Sequence, residues 1–351
     1  ELAVLPAHRK GQNEWAAPTM PRDLRRVANL ELVPVITANL PISPGGTYDA
    51  ASFPHFTHFE DGITLVGGIN VPKKISVMGS DGYRYHQLVK SGNDDLRQDA
   101  VMEQLFGLVN DLLAGRRATR ARRLRIGTYK VVPFTPSAGL LEWVEDTMPL
   151  SEYLLGGDRM GGAHKRLRPA DWPFVKCFNA MKGAQPAALR KEYDRVCSHF
   201  SPVLHHFFLE RFPHPADWYE RRLAYTRSVA VNSIVGYVVG LGDRHSVNIL
   251  LDKASAELVH IDLGIAFEQG KFLKTPELVP FRLTRDIVDG MGVPGVEGVF
   301  RRCCEESLRV LRENKEALAT IVEVFIHDPL YRWAINPVKA DQRQRAGEEE
   351  E

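Results

Sequence analysis

The feature that most constrains this chain is a pair of short apolar runs separated by a polar turn. The runs cover residues 249–251 and 258–261, and residues 252–257 lie between them. This pattern predicts a β-hairpin with a short loop. Because a hairpin brings its two open ends together, we expect Asn248 and Asp262, which flank the hairpin, to lie side by side.

The polar residues around this hairpin suggest a site for a metal ion and phosphates. An amide oxygen and a carboxylate at adjacent positions can hold Mg²⁺, which needs few protein ligands when phosphates supply the rest. Asp243 lies five residues before Asn248, on the loop that enters the hairpin, where it can accept a proton from a hydroxyl group. A base, an amide and a carboxylate in this order match the phosphoryl-transfer groups of a kinase. A purely structural hairpin with polar groups at its ends is the less favoured interpretation.

The first third of the chain has the pattern of a β-sheet followed by a helix. Short runs rich in Val, Ile and Thr cover residues 32–38, 63–67, 74–78 and 83–90. Gly79 and Ser80 lie in a turn where backbone N–H groups can approach phosphate oxygens, although most such turns only join two strands. Lys90 ends the next strand, where its ammonium group can reach nucleotide phosphates. A helix is predicted from residue 94, and its Asp99 is placed to orient Lys90.

Several motifs resemble one family of kinases. In the segment 242–248 the histidine follows the aspartate instead of preceding it, and Asp-Leu-Gly stands at 262–264. Together with Leu-Val-Lys at 88–90 and Asp-Asp-Leu-Arg-Gln-Asp at 94–99, this resembles the phosphatidylinositol-3-kinase-related protein kinases. Further segments are similar to the ataxia-telangiectasia-mutated (Tel-type) subfamily: 222–230, 280–286 and 295–304.

The resemblance implies an α+β, two-lobed fold of the PI3K/PI4K-like protein kinase type, with a β-rich N-lobe and a mainly α-helical C-lobe. It implies that ATP and Mg²⁺, or Mn²⁺, bind between the lobes. The metal would lie on Asn248 and Asp262, while His245 would stabilise the transferring phosphate. The hinge and the nucleotide pocket would use four further residues, Tyr129, Leu141, Glu142 and Trp143.

The same resemblance implies serine/threonine kinase activity on sites followed by glutamine, in nuclear signalling of DNA double-strand breaks. DNA repair, cell-cycle control and telomere maintenance would be the processes served. The expected partners are protein substrates, a DNA-break sensor complex and a second copy of the full-length protein.

Length and composition fit two folded lobes. The chain has 351 residues, 44% of them hydrophobic, which is enough for about two domains with their own cores. We expect residues 1–30 to be a linker or an incomplete upstream segment. Residues 31–144 would form the N-lobe with the hinge at its end, 145–340 the C-lobe with the catalytic loop and activation segment, and 341–351 an acidic tail.

The charge pattern favours neither a nucleic acid nor a membrane as a direct partner. The net charge is +1, and the arginine-rich segment 116–125 is interpreted as a solvated loop. The longest apolar stretch, 228–241, is too short to span a bilayer and predicts a buried helix. The four cysteines form no CxxC pair and the histidines lack metal-binding spacing, so reduced thiols and no zinc site are expected.

Two alternative functions share most of these residues. A phosphoinositide lipid kinase would have the same fold, but its activation segment needs basic residues for an anionic headgroup. Between residues 264 and 281 two glutamates and two lysines cancel, which favours a peptide substrate. A catalytically inactive scaffold is disfavoured because the residues assigned to phosphates, base and metal are all present: Lys90, Asp99, Asp243, Asn248 and Asp262.

Overall fold

The computed structural model describes most of the chain. It covers residues 8–9, 15–16 and 19–327, with gaps at 41–44, 48, 50–51, 68–69, 93–94, 136, 157–160 and 274. The predicted acidic tail 341–351 and residues 328–340, at the end of the predicted C-lobe, lie outside the described residues.

An antiparallel sheet forms the centre of the first lobe. A separate short pair consists of β1 (His8–Arg9) and β2 (Trp15–Ala16). The strands of the large sheet are β3 (Ala28–Pro34), β4 (His55–Phe59), β5 (Thr64–Leu65), β6 (Lys73–Gly79), β7 (Arg84–Ser91), β8 (Val131–Thr135) and β9 (Ala138–Glu142). Their order across the sheet is β3-β4-β6-β7-β9-β8, with β5 beside β6.

Alternating burial explains why the central segments form strands. In β6 the side chains of Ile75 and Val77 are buried and their neighbours are more exposed, which is the two-residue period of a half-buried strand. The strands predicted at 74–78 and 83–90 are confirmed as β6 and β7. The local sequence does not predict β4, whose polar residues become part of the sheet by pairing with β3 and β6.

The described part of the first lobe also contains helices, and the longest of them packs against the sheet. They are α1 (Arg22–Arg26), α2 (Leu96–Gly115) and α3 (Arg117–Ala121). The carboxylate of Asp95 accepts a hydrogen bond from Arg97 N at 3.1 Å and caps α2. The helix therefore begins at residue 96, slightly later than the predicted start at 94.

Two expectations about this lobe need correction. Residues 1–30 were expected to be a linker or an incomplete upstream segment, and Met20 is not linker-like because it is buried with Ile75 and Val89 of the sheet. The arginine-rich segment is not simply a solvated loop, since it contains α3. Two of its arginines form ion pairs with C-lobe residues, Arg116 with Glu313 at 2.6 Å and Arg125 with Glu257 at 2.5 Å.

The second lobe is mainly helical and contains one small antiparallel sheet. Its strands are β10 (Thr147–Pro149), β11 (Ile249–Asp252) and β12 (Leu258–His260), in that order. Its helices are α4 (Leu150–Leu154), α5 (Ala163–Leu167), α6 (Phe174–Lys182), α7 (Leu189–His199), α8 (His205–Arg211), α9 (Pro215–Val239), α10 (Arg285–Gly290), α11 (Val299–Glu313) and α12 (Lys315–His327). Short 3₁₀ turns occupy Pro186–Ala188 and Gln269–Phe272.

Helix α9 runs through the core of the second lobe. Its residues Val229, Ala230 and Val231 are at most 3% exposed, so the buried helix predicted from the apolar stretch 228–241 is confirmed for most of that stretch. The helix ends at Val239, and Tyr237 and Val238 near its end are about half exposed. Among the described helices, none combines the length and the apolar character needed to cross a membrane.

An apolar cluster joins the two lobes where the chain passes between them. Strand β9 ends the large sheet and β10 starts the small one, so residues 143–146 form the connection. Leu141 and Tyr129 from the first lobe pack with Leu250 and Val259 from the second. The two-lobed α+β architecture is thus confirmed, and the cluster keeps the lobes in contact beside the connection.

Candidate active site

The hairpin formed by β11 and β12 places the predicted metal ligands at its open end. Ile249 pairs with His260, and Ile261 N donates to Asn248 O at 3.0 Å. Asn248 therefore lies opposite the residue that precedes Asp262. The adjacency inferred from the hairpin pattern is confirmed.

Asp243 belongs to the same group of residues. Asn248 Nδ2 donates to the Asp243 carbonyl at 3.0 Å, which fixes the amide and leaves its oxygen as an acceptor. Asp243 and Asp262 both have φ of 56°, in the left-handed region. Such a backbone is unfavourable by about 1–3 kcal/mol per residue, so the surrounding contacts must hold it.

Arg244 supplies part of this support. Its side chain is buried and donates to Gly242 O and to Ile261 O, each at 2.8 Å, and also to Asp262 O. Burial lowers the pKa of the Arg244 guanidinium, partly offset by the neighbouring carboxylates of Asp243 and Asp262. The guanidinium ties the catalytic loop to the end of the hairpin. No role was predicted for Arg244 from the sequence, although its place inside the motif at 242–248 was a usable signal.

An ion pair crosses from the first lobe to the second. Lys90 Nζ, on β7, lies 3.3 Å from Asp262 Oδ1, across 172 positions of sequence. Asp99 Oδ1 accepts from Leu263 N at 2.9 Å and is 1% exposed. Helix α2 thus holds the segment that carries Asp262. The predicted role of Asp99 in orienting Lys90 stays a prediction.

Behind this pair lies a buried acidic group that the sequence analysis missed. Glu103, one turn after Asp99 on α2, accepts from Tyr129 N at 3.1 Å through Oε2. Burial, which is the largest cause, and the nearby charges of Asp99 and Glu142 together raise the pKa of Glu103 to about 9, although the hydrogen bond from Tyr129 N opposes the shift. Burial likewise raises the pKa of Tyr129, so its phenol is neutral. The nearby charges of Asp99, Glu103 and Asp262 also raise the pKa of Tyr129, so the phenol lies close to these three carboxyl groups. This position is the predicted back of the nucleotide pocket.

The turn between β6 and β7 contains the predicted phosphate loop. Gly79 N donates to Tyr83 O at 2.9 Å, and Ser80 N donates to His55 O at 2.8 Å. These two N–H groups are already paired within the protein. A contact with phosphate thus remains a prediction, and it would require the Ser80 hydroxyl or a local rearrangement.

The hinge residues are held to both neighbouring strands. Trp143 N donates to His86 O at 3.1 Å, and Lys130 N donates to Glu142 Oε2 at 3.0 Å. Lys74 Nζ lies 4.2 Å from the centre of the Trp143 ring, a cation–π contact. Leu141 is buried in the interlobe cluster. The structure brings these residues together at the connection, and their contact with adenine stays a prediction.

The oxygen ligands at the hairpin suit magnesium. Among the described residues no group of three or more His, Cys, Asp or Glu side chains could hold a metal ion. Mg²⁺ does not need such a group, because one or two protein oxygens and the phosphates satisfy it. The amide oxygen of Asn248 and the carboxylate of Asp262 would provide that pair, and their binding to the metal stays a prediction. His245 Nδ1 is buried and has no hydrogen-bond partner within the described part of the chain, and the contact of this histidine with the transferring phosphate stays a prediction.

Comparisons with known proteins agree with this arrangement. The family model for phosphatidylinositol 3- and 4-kinases matches residues 85–335. The chain belongs to this family. It is 60% identical to the serine/threonine-protein kinase ATM of Arabidopsis thaliana over 99% of its length, and 53% identical to the serine-protein kinase ATM of Sus scrofa over 93%.

Solved structures show the same likeness. The structure titled "FAT and kinase domain of CtTel1" matches 91% of the chain with 46% identity and a TM-score of 0.82, and the chain covers 22% of it. "Complete CtTel1 dimer with C2 symmetry" matches equally well, with 12% of that chain covered. The chain spans only 9% and 11% of the two ATM relatives, so it corresponds to a small part of them.

Proposed function

We propose that this chain is the catalytic domain of an ATM-type serine/threonine protein kinase. It transfers the γ-phosphate of ATP to serine or threonine followed by glutamine. The observation that carries the proposal is the contact between Lys90 and Asp262 across the lobes, next to the hairpin that bears Asn248. This contact supports a site in which a cation, two oxygen ligands and the base Asp243 would act together on ATP and its acceptor.

Each residue has a distinct part in the reaction. When bound, Mg²⁺ neutralises phosphate charge and orients the transferring group. Lys90 binds phosphate oxygens from the N-lobe side, and Asp243 orients the acceptor hydroxyl and takes its proton. His245 donates a hydrogen bond to the phosphoryl group as charge moves onto it. Arg244 holds the loop, so that these groups need little reorganisation when ATP binds.

The surface beside Asp243 favours a peptide as the acceptor. An open groove of about 230 Å³ is lined by Tyr237, Gly242, Glu277, Leu278 and Val279 among others. Its described charged residues include the pair Lys271 and Glu268, whose side chains lie 2.8 Å apart and neutralise each other. A lipid headgroup carrying several phosphates needs a basic cluster, whereas Lys271 is the one basic residue among the described residues that line this groove, and two glutamates line it as well.

Three acceptors compared side by side test this proposal. A peptide containing serine-glutamine should be phosphorylated, and the same peptide with glutamate after the serine should lose most of its kcat/KM. Replacing an amide by an acid leaves polar groups of the site unmatched, which costs several kcal/mol in order of magnitude. Vesicles containing phosphatidylinositol should not be phosphorylated. The Asp243→Asn variant is the control for contaminating kinases, and preferential lipid phosphorylation would overturn the proposal.

The resemblance to the ATM and Tel1 kinases supports a proposal about the biological setting. We infer a nuclear role in DNA double-strand-break signalling, with recruitment by a DNA-break sensor complex. Two of the matched structures are titled as Tel1 dimers, which supports a homodimer for the protein that contains this chain. Measuring the mass of the intact protein in solution tests the dimer, and kinase assays with and without DNA ends and sensor proteins test the setting.

A further inference from the structure

The activation segment contacts the catalytic loop through the side chain of Glu277. Its Oε2 accepts a hydrogen bond from Asp243 N at 2.8 Å. Glu277 N donates to Gly270 O at 3.0 Å, so the same residue also closes a turn of the activation segment. Glu277, which lies 34 positions after Asp243 in the chain, therefore binds the backbone N–H group of this proposed base.

Two glycines leave room for this carboxylate. A Cβ atom added to Gly242 would lie 2.7 Å from Glu277 Oε2, and one added to Gly270 would lie 2.5 Å from it. Both distances are too short for real atoms. The catalytic loop and the activation segment thus lack side chains at the points where the carboxylate passes between them.

The hydrogen bond from Asp243 N to Glu277 stabilises a backbone conformation of Asp243 that is unfavourable by itself. Asp243 has φ of 56°, which an aspartate rarely adopts without stabilising contacts. Gly242 N donates to Ile265 O at 2.9 Å, and Glu277 holds the next N–H along the chain. A charged acceptor makes a stronger hydrogen bond to an N–H group than a neutral one. The direction of the Asp243 side chain depends on this turn.

The residues after Glu277 face the groove. Leu278 is 82% exposed and Val279 69% exposed, and both line the groove together with Gly242. The segment that holds Asp243 is therefore continuous with the surface that a peptide would cover.

We propose that Glu277 is a positioning residue, which holds the backbone of Asp243 so that its carboxylate meets the acceptor hydroxyl. This rests on the proposed protein kinase function. Glu277 links the acceptor groove to the base, and it makes no contribution to nucleotide binding. Its removal should impair transfer to a bound peptide more than the binding of either substrate.

Steady-state kinetics of the intact protein separate positioning from binding. Glu277→Ala should lower kcat for a serine-glutamine peptide by at least about tenfold, the effect of losing a charge-assisted hydrogen bond. KM for the peptide and affinity for MgATP should change less than about twofold. Glu277→Gln keeps a side-chain oxygen acceptor and should restore most of kcat. Glu297→Ala, which removes an exposed carboxylate paired with Arg301 elsewhere in the C-lobe, is the matched control.

Hydrogen exchange gives a second result that does not depend on activity. In Glu277→Ala, fragments containing residues 241–244 should exchange faster than in the wild type, and Glu277→Gln should lie between the two. Unchanged exchange, or wild-type kcat in Glu277→Ala, would overturn the inference. An equal loss of MgATP affinity would also overturn it. If the wild type fails to phosphorylate any peptide while the exchange result holds, the proposed function fails and the Glu277 contact stands.

Discussion

The burial of Glu103 predicts a specific dependence of stability on pH. The residue is 8% exposed, and burial followed by the charges of Asp99 and Glu142 raises its pKa from 4.5 to about 9. In the folded protein the carboxyl group therefore carries a proton at neutral pH. In the unfolded chain it is exposed to water and ionised. Folding at neutral pH thus requires Glu103 to take up a proton.

The size of the effect follows from this difference in pKa. Each pH unit between the unfolded and the folded pKa changes the free energy of unfolding by about 1.4 kcal/mol. The stability contributed by neutral Glu103 is fully present below about pH 4.5 and is lost progressively as pH rises towards 9. Glutamine has a similar shape, stays neutral and can accept from Tyr129 N as Glu103 does. Between about pH 6 and pH 8, Glu103→Gln should gain about 3 kcal/mol relative to the wild type.

Denaturant unfolding of the wild type and Glu103→Gln at several pH values measures this gain. The difference in unfolding free energy between the two proteins should grow steadily with pH at constant ionic strength. Glu220→Gln, at an exposed position on α9, is the control and should show no such growth. A difference that is independent of pH would show that Glu103 is ionised in the folded state, and would refute the reasoning.

Three other outcomes are expected. Asp243→Asn should bind MgATP nearly as well as the wild type, whereas Asp262→Asn should bind it more weakly. Equal losses of MgATP affinity in a nucleotide titration of the two variants would contradict this assignment of roles. Tyr225→Phe loses a hydrogen bond to Ile287 O of 2.9 Å and should lower the unfolding free energy by about 1 kcal/mol in urea, so an unchanged value would contradict this. Gly240→Ala should lower the melting temperature, because φ at this position is +58° and the added Cβ would clash with the backbone of the activation segment. A variant with the melting temperature of the wild type would contradict this prediction.

Local sequence patterns determined the elements that carry the site. The two apolar runs and their turn were sufficient to predict β11 and β12, because a short hairpin is stabilised by neighbours in the chain. The strand that carries Lys90 and the helix that carries Asp99 were likewise predicted from local patterns of apolar residues. Strand β4 was not, since its pairing with β3 and β6 depends on residues far away in sequence.

Only the tertiary structure decided what the buried and half-buried charged residues do. A charged or acidic side chain looks like a surface residue in the sequence, because its burial is unfavourable unless distant groups bind it. Arg244 is stabilised by carbonyls at the end of the hairpin, and Glu277 by the backbone of the catalytic loop. Glu103 is neutral only because the fold encloses it beside Asp99. The sequence therefore determined which residues are available for phosphoryl transfer and which local elements carry them. The packing of the two lobes determined which other residues hold these elements in place.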